Sequence, residues 1–332
     1  MNKKHKTLIT FIALIIAVWV FKVTFFASNA TPPLVADVIV DVKVEEAKLE
    51  EAKFEEEQQA NTDYSQQKII TLGPHLVELL FDLGIGERIV GTIEFSDFPA
   101  KALNIPRVGN YARLKIEKII ALQPDLVIVW HTGNPVADLA KLEKLGIKVV
   151  YSKPTLLADV SKDYRQIGRL TGTEKLAEEK ALAFEKQLAL LTSNYANKTP
   201  VTVFYELWSK PVTTIANMAW PQQQLSVCGA SNPFSKISND YPQVNLEEVI
   251  IANPQLIIQP NSKGESHADA INWLKYPKMQ ASIHQQILYP NADLLHRMSY
   301  RLLPELEKLC IQIDKSRQYY QRLNRSKKNK EN

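Results

Sequence analysis

Residues 116–130 read IEKIIALQPDLVIVW, and residues 246–260 read LEEVIIANPQLIIQP. When the two copies are aligned, Glu117 coincides with Glu247, the prolines coincide, and apolar residues occupy the same columns. Each copy predicts a helix followed by a short buried strand, because proline disfavours the helical conformation in the residue before it. The copies lie in separate halves of the chain, so they predict two similar lobes rather than a solenoid of many units.

The segments around the first copy alternate between strand and helix patterns. Residues 69–72, 88–92 and 147–151 are predicted strands, and residues 75–83 and 137–145 are predicted helices. Such alternation with short links predicts a parallel sheet covered by helices on both faces. The second half repeats the pattern, with predicted strands at 201–205 and 287–289. The fold class is therefore α/β, with two Rossmann-like lobes.

A helical pattern without proline runs from residue 159 to residue 194, between the two predicted lobes. Gly168 and Gly172 interrupt it early, whereas the part from Glu174 onward is rich in Ala, Leu, Glu and Lys. The pattern predicts one long rigid helix that joins the lobes. The ligand cleft is expected between them, beyond the carboxyl ends of the strands.

The N-terminal segment has the features of a targeting sequence. Lysines at positions 3, 4 and 6 precede an apolar run, and Ser28 and Ala30 are small residues suited to cleavage. We expect a cleaved signal peptide, with an uncleaved membrane anchor as the alternative. Both imply export, so we expect a periplasmic protein. The expected organisation is a signal peptide or anchor at 1–30, an acidic tether at 31–67, an N-terminal lobe at 68–158, a linking helix at 159–198, a C-terminal lobe at 199–318 and a basic, frayed tail at 319–332.

The charge distribution argues against nucleic-acid binding. The formal net charge is +4, and four lysines of the N-terminal segment account for it. The 36 remaining basic residues equal the 36 acidic residues, so the body lacks the basic excess that nucleic acid requires. The tether is rich in Glu and Lys, which predicts a solvated helix or spacer, with a partner-binding segment as the alternative.

The two cysteines, Cys228 and Cys310, are an even pair in an exported protein. An oxidising compartment favours a disulfide between them, and two buried free thiols are the alternative. The histidines show no metal-ligand spacing, so we expect neither a metal site nor a resident cofactor. The sequence contains no nucleophile elbow, phosphate loop or dinucleotide fingerprint, and we expect no enzyme activity.

The chain resembles a known family from Lys68 to about Ile313. The residues that carry the resemblance are ITLGP at 70–74 with Glu78, FSDFP at 95–99, PDLVIVW at 124–130 with Gly133, CGASNPF at 228–234, YPQV at 241–244, and Asp293 with Arg297. The chain is similar to the periplasmic binding proteins whose lobes are joined by a single helix, and most of all to their cobalamin-binding members. These proteins deliver their ligand to an importer of the ABC type.

The resemblance implies roles for individual residues. Phe95, Tyr111 and Trp130 would line the first-lobe side of the cleft, and Asp293 and Arg297 the other side. Glu117 and Glu247 would be surface carboxylates that dock onto the two subunits of a membrane permease. Cys228 and Cys310 match the disulfide pair of the family.

Two further residues complete the expected ligand site. His131 follows Trp130 and could offer an axial imidazole to a cobalt corrinoid or a haem. Trp208 lies in the long loop that follows the strand at 201–205. A large, flat, amphipathic ring compound needs such aromatic walls together with a few polar groups.

The sequence therefore predicts a monomeric, extracytoplasmic solute-binding protein that delivers a corrinoid to an ABC importer. The first alternative keeps the fold and changes the ligand to haem or a ferric siderophore. The second is a membrane-anchored interaction or sensory protein that uses the same pair of lobes without transport.

Overall fold

The first half of the body is built on a four-stranded parallel sheet with the order β2-β1-β3-β4. Its strands are β1 (Ile69–Leu72), β2 (Ile89–Thr92), β3 (Leu126–Trp130) and β4 (Val149–Ser152). Its helices are α1 (Pro74–Asp82), α2 (Ile116–Ala121) and α3 (Val136–Lys144), and two 3-10 helices span Gly86–Arg88 and Ala100–Asn104.

Two helices, not one, follow the first sheet. They are α4 (Asp159–Thr171) and α5 (Glu174–Tyr195), and they pack against each other. The chain breaks at Gly172, which has a φ of 69° that favours glycine and closes α4. The linking helix therefore begins at Glu174 rather than at residue 159, and it contacts helices of the second half.

The second half contains another four-stranded parallel sheet, with the order β10-β9-β5-β8. Its strands and a small hairpin are β5 (Val201–Tyr205), β6 (Trp208–Ser209), β7 (Val212–Thr213), β8 (Ala230–Ser231), β9 (Leu256–Ile258) and β10 (Ile287–Leu288). Its helices are α6 (Trp220–Val227), α7 (Leu246–Ala252), α8 (Gln280–Ile283), α9 (Ala292–Leu295) and α10 (Leu302–Glu331).

The two sheets have the same topology. In each sheet, the first strand lies between the next strand of the same sheet and the strand of the sequence repeat. Strands β5, β8, β9 and β10 therefore correspond to β1, β2, β3 and β4. The prediction of two similar α/β lobes with parallel sheets is confirmed.

The repeat forms the same structure twice. Each copy is a short helix that ends at a left-handed residue, Gln123 with a φ of 49° or Asn253 with a φ of 45°, before the proline. The side chain after the proline then binds the neighbouring strand. Asp125 accepts from the backbone N–H of Lys68 at 2.7 Å, and Gln255 accepts from that of Thr202 at 3.0 Å. The repeat therefore encodes a strand together with its attachment to the first strand of its sheet.

Apolar side chains of the sheets pack on both faces, as the predicted parallel architecture requires. In the first sheet, Ile69 and Ile128 face one cluster, and Ile70 and Val127 face another on the opposite side. The first cluster also contains Val203 of the second sheet. The lobes therefore share part of one core.

Two predicted helices differ in the structure. The sequence around Asn272 and Trp273 predicts a helix, but these residues form a single 3-10 turn at Trp273–Lys275. Residues 298–317 are predicted as the closing helix, which instead begins at Leu302 and continues to Glu331, where a basic, frayed tail was expected. A tertiary contact stabilises the extended helix, because Tyr320 is buried and donates a hydrogen bond from its hydroxyl to the backbone oxygen of Gln255 at 2.8 Å.

The computed structural model describes residues 63–261 and 269–331. The predicted signal peptide or anchor and the tether up to residue 62 lie outside the described residues. Within these ranges, no helix has the length and apolar content needed to cross a membrane. Asp63 begins the described chain, and the next residue, Tyr64, accepts a hydrogen bond from Arg88 Nη1 at 2.6 Å through its backbone oxygen.

Candidate functional site

Phe95 and Tyr111 lie at the carboxyl edge of the first sheet. Phe95 follows β2 and is 69% exposed, with a left-handed φ of 65°. Tyr111 is 71% exposed at the tip of a turn closed by pairing of Gly109 with Leu114. Gly109 also accepts a hydrogen bond from the N–H of Glu94 at 3.0 Å, which ties this turn to the residue before Phe95. Both predicted aromatic side chains are thus presented to solvent at one edge.

Trp130 ends β3 at the same edge and is half-buried. Its ring packs on Gly133 so closely that an added Cβ would lie 1.8 Å from a ring carbon. Its backbone N–H donates to Asn134 Oδ1 at 2.8 Å, and its ring meets His75 edge-on at 5.5 Å. Gly133, which carries part of the family resemblance, and the neighbouring Asn134 therefore fix the position of the tryptophan.

Behind Trp130 lies a chain of buried polar groups. The His75 Nε2 is 3.5 Å from Ser152 Oγ, which donates to Asp163 Oδ2 at 2.7 Å. Burial lowers the pKa of His75 to about 3, with a further contribution from the positive charge of Arg297. Burial also raises the pKa of Asp163 to about 6, against the effect of the Ser152 hydrogen bond. A neutral imidazole is thus held behind the aromatic wall at neutral pH.

His131 is exposed, and its ring meets Tyr151 edge-on at 5.5 Å. Tyr151 lines a separate groove of about 760 Å³ along the outer edge of β4 and the start of α4. Lys153, Lys162 and Asp163 also line this groove, but none of the predicted ligand residues does.

In the second lobe, Trp208 and Asp293 lie beyond the carboxyl ends of their sheet. Trp208 is 66% exposed in the β6–β7 hairpin that follows β5, and Asp293 is an exposed residue of α9, which follows β10. Residues 206–220, predicted as one long loop, contain this hairpin. The second tryptophan of the segment, Trp220, is buried. Trp220 is 4% exposed and donates from Nε1 to the backbone oxygen of Leu295 at 3.0 Å.

Arg297 does not stand free on the second-lobe side. Its Nη1 donates to Glu78 Oε1 at 2.9 Å and to Asp97 Oδ1 at 2.8 Å, and both acids belong to the first lobe. Its Nη2 donates to the backbone oxygen of Phe95 at 3.4 Å. The residues predicted on opposite walls therefore meet, and the carboxyl edges of the two sheets approach each other here.

Glu78 and Asp97 had no predicted role. Glu78 is fully buried in α1, among apolar residues such as Leu79 and Leu80. A charged residue within an apolar helix was the one available signal, because a buried charge requires a partner. The partner itself could not be identified, since it lies more than two hundred residues away along the chain.

Glu117 and Glu247 occupy equivalent places. Each is an exposed residue in the first turn of its helix, α2 or α7. Within the described residues, neither side chain forms a hydrogen bond or an ion pair. In contrast, Glu248 closes the capping box of α7 with Asn245. Both acids thus leave their carboxylates available to a partner.

The predicted disulfide between Cys228 and Cys310 is confirmed. It joins the residue that ends α6 to the N-terminal part of α10, and both cysteines are fully buried. Within residues 63–261 and 269–331, no group of three potential metal ligands occurs. The surface features at the carboxyl edges are exposed aromatic rings with a few polar groups, an arrangement suited to holding a bulky ligand.

This chain is similar to known binding proteins over most of its length. A family model described as periplasmic binding protein matches residues 69–275. A vitamin B12-binding protein of Vibrio campbellii is 34% identical over 252 residues, which cover 76% of this chain and 91% of the relative.

Solved structures extend the comparison. The crystal structure of the periplasmic vitamin B12 binding protein BtuF of Vibrio cholerae is 33% identical, with a TM-score of 0.69 over 75% of this chain and 97% of that one. The periplasmic heme binding protein HutB of the same organism is 23% identical, with a TM-score of 0.65 over 74% of this chain and 98% of that one, and it shows the fold alone. This protein belongs to the periplasmic binding protein family, whose members bind substrates and are not enzymes.

Proposed function

We propose that this protein binds cobalamin or a related corrinoid outside the cytoplasm and delivers it to an ABC importer. The observation that carries the proposal is the likeness over most of the chain to vitamin B12-binding proteins. The exposed rings of Phe95, Tyr111 and Trp208 at the carboxyl edges support it. Aromatic faces suit a large flat ring, because they bury much area with little loss of conformational freedom.

In this proposal the two lobes contribute different groups. Phe95, Tyr111 and Trp130 pack against the corrin from the first lobe, and Trp208 faces it from the second. Asp293 accepts hydrogen bonds from the side-chain amides of the ligand, and His131 is a candidate axial ligand to cobalt. Arg297 acts mainly on the protein itself, because its two Nη groups already donate to Glu78, Asp97 and the Phe95 carbonyl.

A titration with cyanocobalamin tests the ligand. We expect saturable binding at micromolar or lower ligand, and we expect Tyr111→Ala to weaken it by about tenfold, a loss of about 1.4 kcal/mol. Leu145→Ala is the matched control, because Leu145 is also an exposed apolar residue but lies beyond the far end of α3 from the site. Binding of haem with no binding of cyanocobalamin would contradict the proposal.

Docking to the importer is assigned to Glu117 and Glu247. Exposed charges steer association and set the specificity of a complex more than they add to its affinity. One acid in each lobe suits a permease with two equivalent arms that carry arginines. We expect Glu117→Arg combined with Glu247→Arg to abolish uptake of cobalamin by cells.

The double variant should bind cobalamin as tightly as the wild type, because neither glutamate belongs to the proposed ligand site. Glu248→Arg provides the matched control for an added positive charge. The Glu248 carboxylate already accepts a hydrogen bond from the N–H of Asn245 at the start of α7. Normal uptake by the double variant would exclude this docking role.

We also propose that the mature protein is periplasmic and works as a single copy. Cleavage after Ala30 would release it from the membrane, whereas an uncleaved segment would anchor it. N-terminal sequencing of the protein from its native host separates these outcomes, since a start at Thr31 establishes cleavage.

A further inference from the structure

Glu78 receives three hydrogen bonds from one short segment of the other lobe. Its Oε1 accepts from Arg297 Nη1 at 2.9 Å and from Arg301 Nη1 at 2.8 Å. Its Oε2 accepts from Ser299 Oγ. These three donors occupy alternate positions immediately before α10, whereas Glu78 lies in α1 of the first lobe. We call the four residues the clasp.

The clasp reaches the proposed ligand site through its arginines. Arg297 binds Asp97 and the carbonyl of Phe95, and the guanidinium of Arg301 lies 3.6 Å from the centre of the Phe98 ring. Residues 95–98 form the loop that presents the exposed Phe95 side chain. Phe95 also has a positive φ, a conformation that a non-glycine residue keeps only when its surroundings hold it. The second lobe thus holds an aromatic wall of the first.

The charges explain why Glu78 is central. The Arg297 side chain is 14% exposed and that of Arg301 is 23% exposed, whereas Glu78 is fully buried. Asp97, the other acid, is half-exposed, and among the described residues its one ion pair is with Arg297. Removal of one partner from a buried ion pair is strongly unfavourable, because the remaining charge is left without compensation. Without the Glu78 charge, the positive charges of Arg297 and Arg301 would be only partly compensated. Separation of the lobes would lower this cost, because water could then solvate both guanidinium groups.

A second interlobe attachment has a different character. Gln223 of α6 accepts from the N–H of Leu157 at 3.0 Å and donates to the carbonyl of Thr155 at 2.8 Å. These bonds are neutral, and their first-lobe partners lie just before α4, away from residues 95–98 in the chain. The clasp is therefore the attachment that connects lobe separation to the aromatic wall.

We propose that Glu78 is a positioning residue for ligand binding: it fixes the separation of the lobes and, through Arg297, the loop that carries Phe95. The effect on affinity rests on the proposed function, whereas the effect on lobe separation does not. We assign Glu78 no contact with the ligand, because its buried carboxylate already accepts hydrogen bonds from Arg297, Ser299 and Arg301.

Pulsed electron spin resonance on the ligand-free protein tests the separation. Spin labels on Lys144→Cys in α3 and Lys278→Cys near α8 report the distance between the lobes, because both positions are exposed. We expect Glu78→Gln to broaden the distance distribution and shift it to longer values. Asp163→Asn is the matched control, since it alters a buried acid whose hydrogen-bond partner, Ser152, lies in the same lobe. The control should leave the distribution unchanged.

The wild type and Glu78→Gln are then titrated with cyanocobalamin. We expect Glu78→Gln to raise Kd by about tenfold or more. An unchanged distance distribution together with a Kd within about twofold of the wild-type value would overturn the proposal. If the wild type does not bind cobalamin, the proposed function fails, but the distances still test the clasp.

Ser299→Ala serves if Glu78→Gln does not fold. It removes one donor to Glu78 and leaves both ion pairs in place. We expect a smaller broadening in the same direction, and a distribution identical to that of the wild type would count against the clasp.

Discussion

At the scale of single residues, burial sets the protonation of the groups behind the aromatic wall. The pKa of His75 is lowered from 6.5 to about 3 in the folded protein. As the pH falls below 6.5, the unfolded chain binds a proton that the folded protein does not, so stability decreases with decreasing pH down to about 3. We expect His75→Gln to reduce this slope by about one proton, which is about 1.4 kcal/mol per pH unit.

Urea denaturation at several pH values between 6.5 and about 4 measures the slope. Asp163 opposes the trend, because its pKa is raised to about 6 and its contribution to stability is lost as the pH rises through that value. His296, with a pKa lowered to about 4 by burial, acts in the same direction as His75. Equal slopes for His75→Gln and the wild type would show that His75 is protonated in the folded protein.

At the scale of the elements, the repeat contains the same backbone conformation with two different side-chain functions. Gln123 and Asn253 are both left-handed residues before a proline. Gln123 is exposed and forms no side-chain hydrogen bond within the described residues, so Gln123→Gly should relieve strain and raise the free energy of unfolding by up to about 1 kcal/mol.

Asn253→Gly should have the opposite effect. The Asn253 Oδ1 accepts a hydrogen bond from the N–H of Gln280 at 2.8 Å, and this bond joins α7 to α8. Its loss should lower the free energy of unfolding by about 1 kcal/mol. Chemical denaturation of both variants compares the effects, and stabilisation by Asn253→Gly would contradict this account.

At the scale of the whole molecule, the disulfide links two helices of the second lobe that are far apart in sequence. Cys228 and Cys310 are separated by 82 residues, so their bond strongly restricts the unfolded chain. We expect Cys228→Ala combined with Cys310→Ala to lower the free energy of unfolding by about 2–4 kcal/mol. Because the bond lies outside the proposed ligand site, the affinity for cobalamin should remain unchanged.

Thermal melting with and without a reductant measures this contribution. The wild type should lose stability when reduced, whereas the double variant should show the same melting temperature in both conditions. A response of the variant to the reductant would point to an effect other than the disulfide.

The sequence by itself determined the local structure and its duplication. Proline, glycine and runs of β-branched residues act over a few positions, which is why the repeat predicted the helix, the stop and the strand of each lobe. The exposed aromatic residues that follow strands could also be identified, because a parallel sheet brings the carboxyl ends of its strands to one edge.

Only the tertiary structure decided which charges meet. Glu78 and Arg297 are distant in sequence, and the direction of a long side chain depends on how the lobes pack. The extent of α10 also depends on tertiary packing, because the buried Tyr320 contacts the start of β9. Local patterns specify elements, but a buried ion pair between lobes exists only once both lobes have formed and met.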